Sequence, residues 1–223
     1  MIEYKTETYI VTPENCSSNA VIYVHGKGGT AAEGEHYKPL FPDRDVIGLE
    51  YITSTPWETG EEIFNAVAKL KTTYNNIILI ANSIGAFFSM CAGIDLMIEK
   101  AYFISPVVDM EKLITDMMKQ ANVTEEELEN RRVIPVASGE VLSWEYLRWI
   151  RNHPLKWDTP TEILYGSRDI ITSCNTVRVF ANNHNAGLTV MGNGEHWFHT
   201  DEQMQFLNDW IKSKEAFQKG DRM

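Results

Sequence analysis

The chain has 223 residues, with 20 Lys and Arg against 31 Asp and Glu for a net charge of −11, and its basic residues never gather beyond pairs such as Arg131-Arg132. Nucleic acid and anionic membrane surfaces both require a positive footprint, so neither is expected as a partner. Cys16, Cys91 and Cys174 are widely spaced and odd in number, which fits a reducing compartment and a cytoplasmic location better than a disulfide scaffold.

The start of the chain, Met1 to Glu7, shows no basic region followed by an apolar stretch of about 7–15 residues, so no signal peptide is expected. Nowhere does the sequence approach the roughly 20 apolar residues of a membrane span. Strand-like runs occur near residues 2–11, 20–25 and 46–51. The second of these leads into His25-Gly26-Lys27-Gly28-Gly29, a glycine-rich turn whose spacing fits neither phosphate-binding fingerprint. Over residues 60–74 Ile63, Val67 and Leu70 form one apolar helical stripe.

The run 77–82 ends at Ser83, and Ile84-Gly85-Ala86 opens an apolar helical pattern expected to reach residue 98. A serine between strand and helix is held on a sharp elbow, with its Oγ exposed and the helix N-terminus behind it. Ala81 and Gly85 on either side are small, as a close strand–helix approach demands. For Ser83 alone a helix N-cap is the simpler reading. Cys91 lies in the same helix, where packing is its expected role.

After the run 101–105 the alternation of strand and helix stops. Residues 109–157 hold two or three helical stretches and no convincing buried strand: Met110 to Ala121, a capping box at Thr124 to Glu127, and Val141 to Asn152. The rings of Trp144, Tyr146, Trp149 and Trp157 suggest an apolar wall over a pocket, or the docking of this insertion onto the body. The run 161–166 is followed by Ser167-Arg168-Asp169, and the run 187–191 by Gly192-Asn193-Gly194-Glu195-His196. The last helix opens at Thr200 and turns Phe206, Leu207, Trp210 and Ile211 inward. Strands alternating with helices predict an α/β fold, a mostly parallel doubly wound sheet covered on both faces, and the length predicts one domain over residues 1–223.

A serine hydroxyl is a weak nucleophile unless a base stands beside it and a third group orients the base. Ser83, Asp169 and His196 appear in the order nucleophile, acid, base, each just past a strand end. Asp109 is the rival acid, with N-capping as its simpler role. His196 and His199 are three residues apart, but no further metal ligands cluster with them, so no metal is expected.

In these residues, together with the His25-Gly26 turn, the chain resembles the α/β-hydrolase family over nearly its whole length, with Ala81 standing where the elbow motif usually has glycine. The resemblance implies an α/β-hydrolase sheet with a small helical cap at about 109–157. It further implies a serine hydrolase that cleaves a small-molecule carboxylic ester through an acyl-enzyme. Ser83 is then the nucleophile, His196 the base and Asp169 the orienting acid. The backbone N–H of Ile84 and, from the turn, that of Lys27 or Gly28 form the oxyanion hole. No cofactor is required. The Lys27 side chain is a candidate for tuning the pocket toward an anionic acyl group. A thioester or amide substrate, a peptidase or acylaminoacyl-type activity, and a non-catalytic ligand-binding role remain alternatives. In relatives a loop that often lines the pocket stands where this chain has Tyr51 to Trp57.

Overall fold

The computed structural model describes residues 18–137 and 139–220. The strand-like run near 2–11 and Cys16 lie outside the described residues.

Six strands form one sheet: β1 (Asn19–Val24), β2 (Asp45–Leu49), β3 (Asn76–Asn82), β4 (Lys100–Ile104), β7 (Thr161–Gly166) and β8 (Gly187–Met191), in the order β2-β1-β3-β4-β7-β8. Every neighbouring pair in it is parallel. Side chains alternate across each strand, so a sheet covered on both sides needs apolar residues at successive positions. In β1, Ala20, Ile22 and Val24 enter one core while Val21 and Tyr23 enter the other.

The first core packs under α1 (Pro56–Lys71), α2 (Ile84–Cys91), α3 (Met110–Gln120), α5 (Trp144–Asn152) and α6 (Cys174–Asn183). The second lies under the 3-10 helix Ala31–Leu40 and α7 (Asp201–Gly220), which contributes Leu207, Trp210 and Ile211. Phe206, expected inward, is 36% exposed. It neighbours the buried stripe without belonging to it.

Helix α1 begins four residues before the apolar stripe announces it. Thr55 accepts the Glu58 N–H through its hydroxyl, and Pro56 occupies the first helical position, where a missing N–H costs nothing. Helix α2 is shorter than expected. It closes at Cys91, the chain turns at Gly93 with φ 64°, and only a short 3-10 segment, Asp95–Met97, follows.

Between β4 and β7 the chain forms α3, α4 (Glu125–Arg131), an antiparallel pair β5 (Val133–Pro135) and β6 (Val141–Ser143), and α5. The first two helices match expectation, while the third begins at Trp144 rather than Val141 because residues 141–143 pair as β6; the hairpin was not expected. Its strands are three residues long and bury only Ile134 and Leu142, too little alternation to stand out in sequence. Asp109, Thr124 and Ser143 cap the three helices by accepting N–H groups from Lys112, Glu127 and Tyr146.

The strand order reverses at β1: the chain leaves it for β2 on one side and returns to β3 on the other. The crevice at the carboxyl ends of such a pair is where α/β sheets place their sites. Here the packing admits no side chain at Gly85, because a Cβ there would lie 2.4 Å from the His25 carbonyl oxygen and 2.7 Å from that of Val24. Both obstacles are backbone, so Gly85→Ala is expected to destabilise the fold by about 1–3 kcal/mol or more, read as a lowered midpoint in thermal unfolding.

Candidate functional site

Ser83 follows β3 directly and takes φ 52° and ψ −119°, a conformation that costs a non-glycine residue about 1–3 kcal/mol. Hydrogen bonds on both sides hold it there. Its N–H donates to the Ile104 carbonyl at 3.0 Å, and its carbonyl accepts from Val107 N–H at 3.0 Å and Ala86 N–H at 3.2 Å. The hydroxyl therefore projects from a frame shared by β3, β4 and α2.

Ser83 Oγ lies 2.8 Å from His196 Nε2, and His196 Nδ1 lies 2.7 Å from Asp169 Oδ2. The other carboxylate oxygen accepts Ile171 N–H at 2.8 Å and Thr172 N–H at 3.0 Å. A carboxylate can only accept, so Nδ1 carries the hydrogen and Nε2 turns its lone pair or its second N–H toward Ser83. The Asp169 side chain is fully buried while that of His196 is 14% exposed. The carboxylate is thus sealed from water beneath an imidazole that is not.

Two loops must meet for this to happen. Past β7 and β8, Ser167 N–H donates to the Met191 carbonyl, Arg168 N–H to the Gly194 carbonyl, and Asn193 N–H to Ser167 Oγ. These bonds lace the Asp169 loop to the His196 loop. Ser83, Asp169 and His196, distant in sequence, are brought together. Asp109 is not among them; it is exposed and caps α3. His199 turns away as well, its Nδ1 donating to the Trp197 carbonyl and its ring stacked on Trp197.

On the β1 side, a Cβ on Gly26 would come within 3.1 Å of Ser83 Cβ, so the His25–Gly29 turn passes directly beside the serine. The N–H of Ile84 belongs to the first helical residue of α2 and has no acceptor within its helix. Lys27 N–H meets no acceptor among the described residues. The Lys27 ammonium points elsewhere: both carboxylate oxygens of Glu140, on the hairpin segment, hold it at 2.5 and 2.6 Å. In this arrangement the Lys27 ammonium is paired with a carboxylate of the hairpin segment.

The aromatic residues of the insertion serve mainly to dock it. Trp157 is buried against Phe103 and donates to Thr161 Oγ1, Trp144 sits in the first core, and Tyr146 and Trp149 meet Trp57 at the start of α1. Tyr51, which the sequence did not single out for the site, stacks on His25 at 4.2 Å and donates to the His25 carbonyl at 2.8 Å. A groove of about 410 Å³ between β8 and α7, lined by Thr189, Phe206 and Trp210 among others, contains no member of the Ser83 network.

No protein-family profile matches the chain, and no curated protein sequence matches it. Solved structures do. Est1E from Butyrivibrio proteoclasticus superposes with a TM-score of 0.70 at 18% identity, covering 94% of this chain and 90% of that one. Est1E with ferulic acid bound gives 0.71 at 15% identity, covering 93% and 92%. Alpha/beta hydrolase domain-containing protein 10 from mouse gives 0.68 at 16% identity, covering 88% and 89%. The fold is that of the α/β hydrolases.

Burial pushes the Cys91 thiol from 9.0 up to about 12, and likewise pushes the Tyr165 phenol, with Asp169 adding to it, from 10.0 up to about 12. Between the unfolded and folded values the native state keeps protons that the unfolded chain has released, so stability falls as pH rises. Urea midpoints are expected to decline from pH 9 upward, and Cys91 is expected to resist alkylation by iodoacetamide at pH 8 until the chain unfolds.

Proposed function

We propose, taking the α/β-hydrolase fold as premise, that this protein is a serine hydrolase that cleaves a small carboxylic ester through an acyl-enzyme. One observation carries the reading: the continuous hydrogen-bonded chain Ser83–His196–Asp169 at the crevice where the strand order reverses, with the serine on a strained elbow. The ester preference is supported by the likeness to Est1E, one of whose structures holds ferulic acid.

In this mechanism Ser83 Oγ attacks the ester carbonyl while His196 Nε2 takes its proton. Asp169 keeps the imidazole in the Nδ1–H form and stabilises the cation that results. The oxyanion is met by Ile84 N–H and by Lys27 N–H, each contributing about 3 kcal/mol to the transition state. His196 then returns the proton to the leaving alcohol. Water, activated by the same base, hydrolyses the acyl-enzyme and restores Ser83. The insertion at about 109–157 acts as the cap over this site, a role supported by the Lys27–Glu140 pair, which ties its hairpin segment to the turn.

Ser83→Ala is expected to abolish turnover of p-nitrophenyl butyrate and labelling by a fluorophosphonate probe while leaving the unfolding midpoint in place. Undiminished turnover in that variant refutes the mechanism. Faster cleavage of aminoacyl amides than of short-chain esters by the unaltered protein would move the assignment to a peptidase. Asp169→Asn presents an amide N–H to His196 Nδ1 and favours the wrong tautomer, so kcat is expected to fall on the order of 10⁴-fold with a small change in KM.

A further inference from the structure

Of the two N–H groups assigned to the oxyanion, that of Ile84 is fixed by the helix it begins. That of Lys27 lies in a glycine-rich turn, where a peptide plane is free to rotate unless something holds it. The Gly26 carbonyl accepts from Gly29 N–H at 3.1 Å and from His25 Nδ1 at 2.8 Å. Gly28 has φ 75°, which with the Gly26–Gly29 bond makes residues 26–29 a turn of type II character. The described residues contain no cis peptide. In a trans peptide the carbonyl and the following N–H point in opposite directions, so holding Gly26 O aims Lys27 N–H the other way. Two donors therefore set the direction of the one N–H the reaction needs from this turn.

One of those donors is a side chain, and it is itself held. His25 is 5% exposed, with Tyr51 stacked on its ring. A carbonyl oxygen only accepts, so Nδ1 must carry hydrogen for the bond to Gly26 to exist. On the far side of the ring Nε2 has no hydrogen-bond partner among the described residues and faces Glu50 Oε1 at 3.5 Å. A ring with hydrogens on both nitrogens satisfies Gly26 and Glu50 at once. The second carboxylate oxygen of Glu50 accepts Ala31 N–H at 3.0 Å, where the 3-10 helix begins beyond the turn. Glu50 thus lies against His25 at the start of the turn and accepts a hydrogen bond from Ala31 beyond its end.

We propose that Glu50 is a positioning residue for the oxyanion hole: acting through His25, it keeps the 26–27 peptide turned so that Lys27 N–H faces the site. This rests on the serine-hydrolase reading given above. The carboxylate touches neither substrate nor Ser83. Its effect reaches the reaction only through the direction of one N–H, so it should appear in the transition state and not in substrate binding.

Glu50→Ala is expected to lower kcat for p-nitrophenyl butyrate about 10- to 100-fold with KM within about twofold. Inhibition by a trifluoromethyl ketone, which forms a tetrahedral oxyanion on the serine, should weaken by the same factor. Glu50→Gln should recover most of the loss, because its carbonyl can take Ala31 N–H while its amide donates to Nε2 of a ring that keeps Nδ1–H. In a His25→Ala background Glu50→Ala should add little, since the path it acts through is gone. Should Glu50→Ala fail to fold, Glu50→Asp carries the same test by withdrawing the carboxylate one methylene.

Unchanged kcat, equal loss in kcat and affinity, no recovery with glutamine, or full additivity with His25→Ala each overturn the proposal. Long-range ¹H–¹⁵N spectra of the His25 ring separate this from the functional reading. A bare Nδ1 in the unaltered protein refutes the positioning role whatever the activity. An inactive protein with hydrogen on Nδ1 refutes the hydrolase reading instead.

Discussion

The site depends on a contact that leaves no room for a side chain. Where α2 begins, the backbone of Gly85 lies against the carbonyls that end β1, and the Gly26 Cα faces the Ser83 side chain. Elbow and turn are consequently one packed unit rather than two loops that happen to meet. The same carbonyl of His25 that crowds Gly85 also accepts the Tyr51 hydroxyl, so the strand end is pinned from both sides. The unusual backbone of Ser83 is sustained from the other direction, by Ile104 and Val107 at the end of β4. A strained residue persists only where its surroundings over-determine it, and here three strands and a helix do so.

A carboxylate removed from water loses several kcal/mol of solvation, and Asp169 is fully buried. Three donors offset the loss: His196 and the two backbone N–H groups of its own loop. Satisfying it locally is what allows a charge to sit beneath the imidazole at all. The ion pairs of the insertion belong to another regime. Lys27 with Glu140, and Arg151 between Glu111 and Glu125, are all partly or well exposed. Such pairs are each worth about 0–1 kcal/mol. Their significance is geometric: Arg151 links α5 to α3 and α4, and Glu140 links the hairpin segment to the turn beside Ser83.

The parallel sheet was legible because its strands are continuous apolar runs separated by helical stripes. The residues of the hydrogen-bonded chain were legible because each follows a strand end. Less visible were features that depend on neighbours distant in sequence. The hairpin of the insertion has only two buried side chains, and a three-residue strand carries no readable period. Residues 84–98 read as one helix because apolar character continues past Cys91; the turn at Gly93 breaks the backbone without breaking the hydrophobic pattern. The start of α1 was placed too late, at residue 60, because its first buried positions include Thr59 and Gly60, which an apolar count passes over. Trp144, Tyr146, Trp149 and Trp157 left open whether the rings face a pocket or the body, since composition cannot report direction.

The residues hardest to foresee run from the end of β2 into the first turn of α1. Nothing in Glu50-Tyr51, or in the stretch to Trp57, has the spacing of a motif. Yet Tyr51 stacks on His25, Glu50 bridges His25 and Ala31, and Trp57 receives Tyr146 and Trp149 from α5. Tyr51 also meets Phe88 of α2 edge-on. One short connection thus touches the turn, the helix behind the elbow and the insertion. Its residues combine rings, which supply area at little entropic cost, with a carboxylate that satisfies a backbone N–H the turn would otherwise leave open. This stretch therefore does more than join a strand to a helix. It places the support of the turn and the seat of the insertion in the same few residues, so a change in either one is felt by the other.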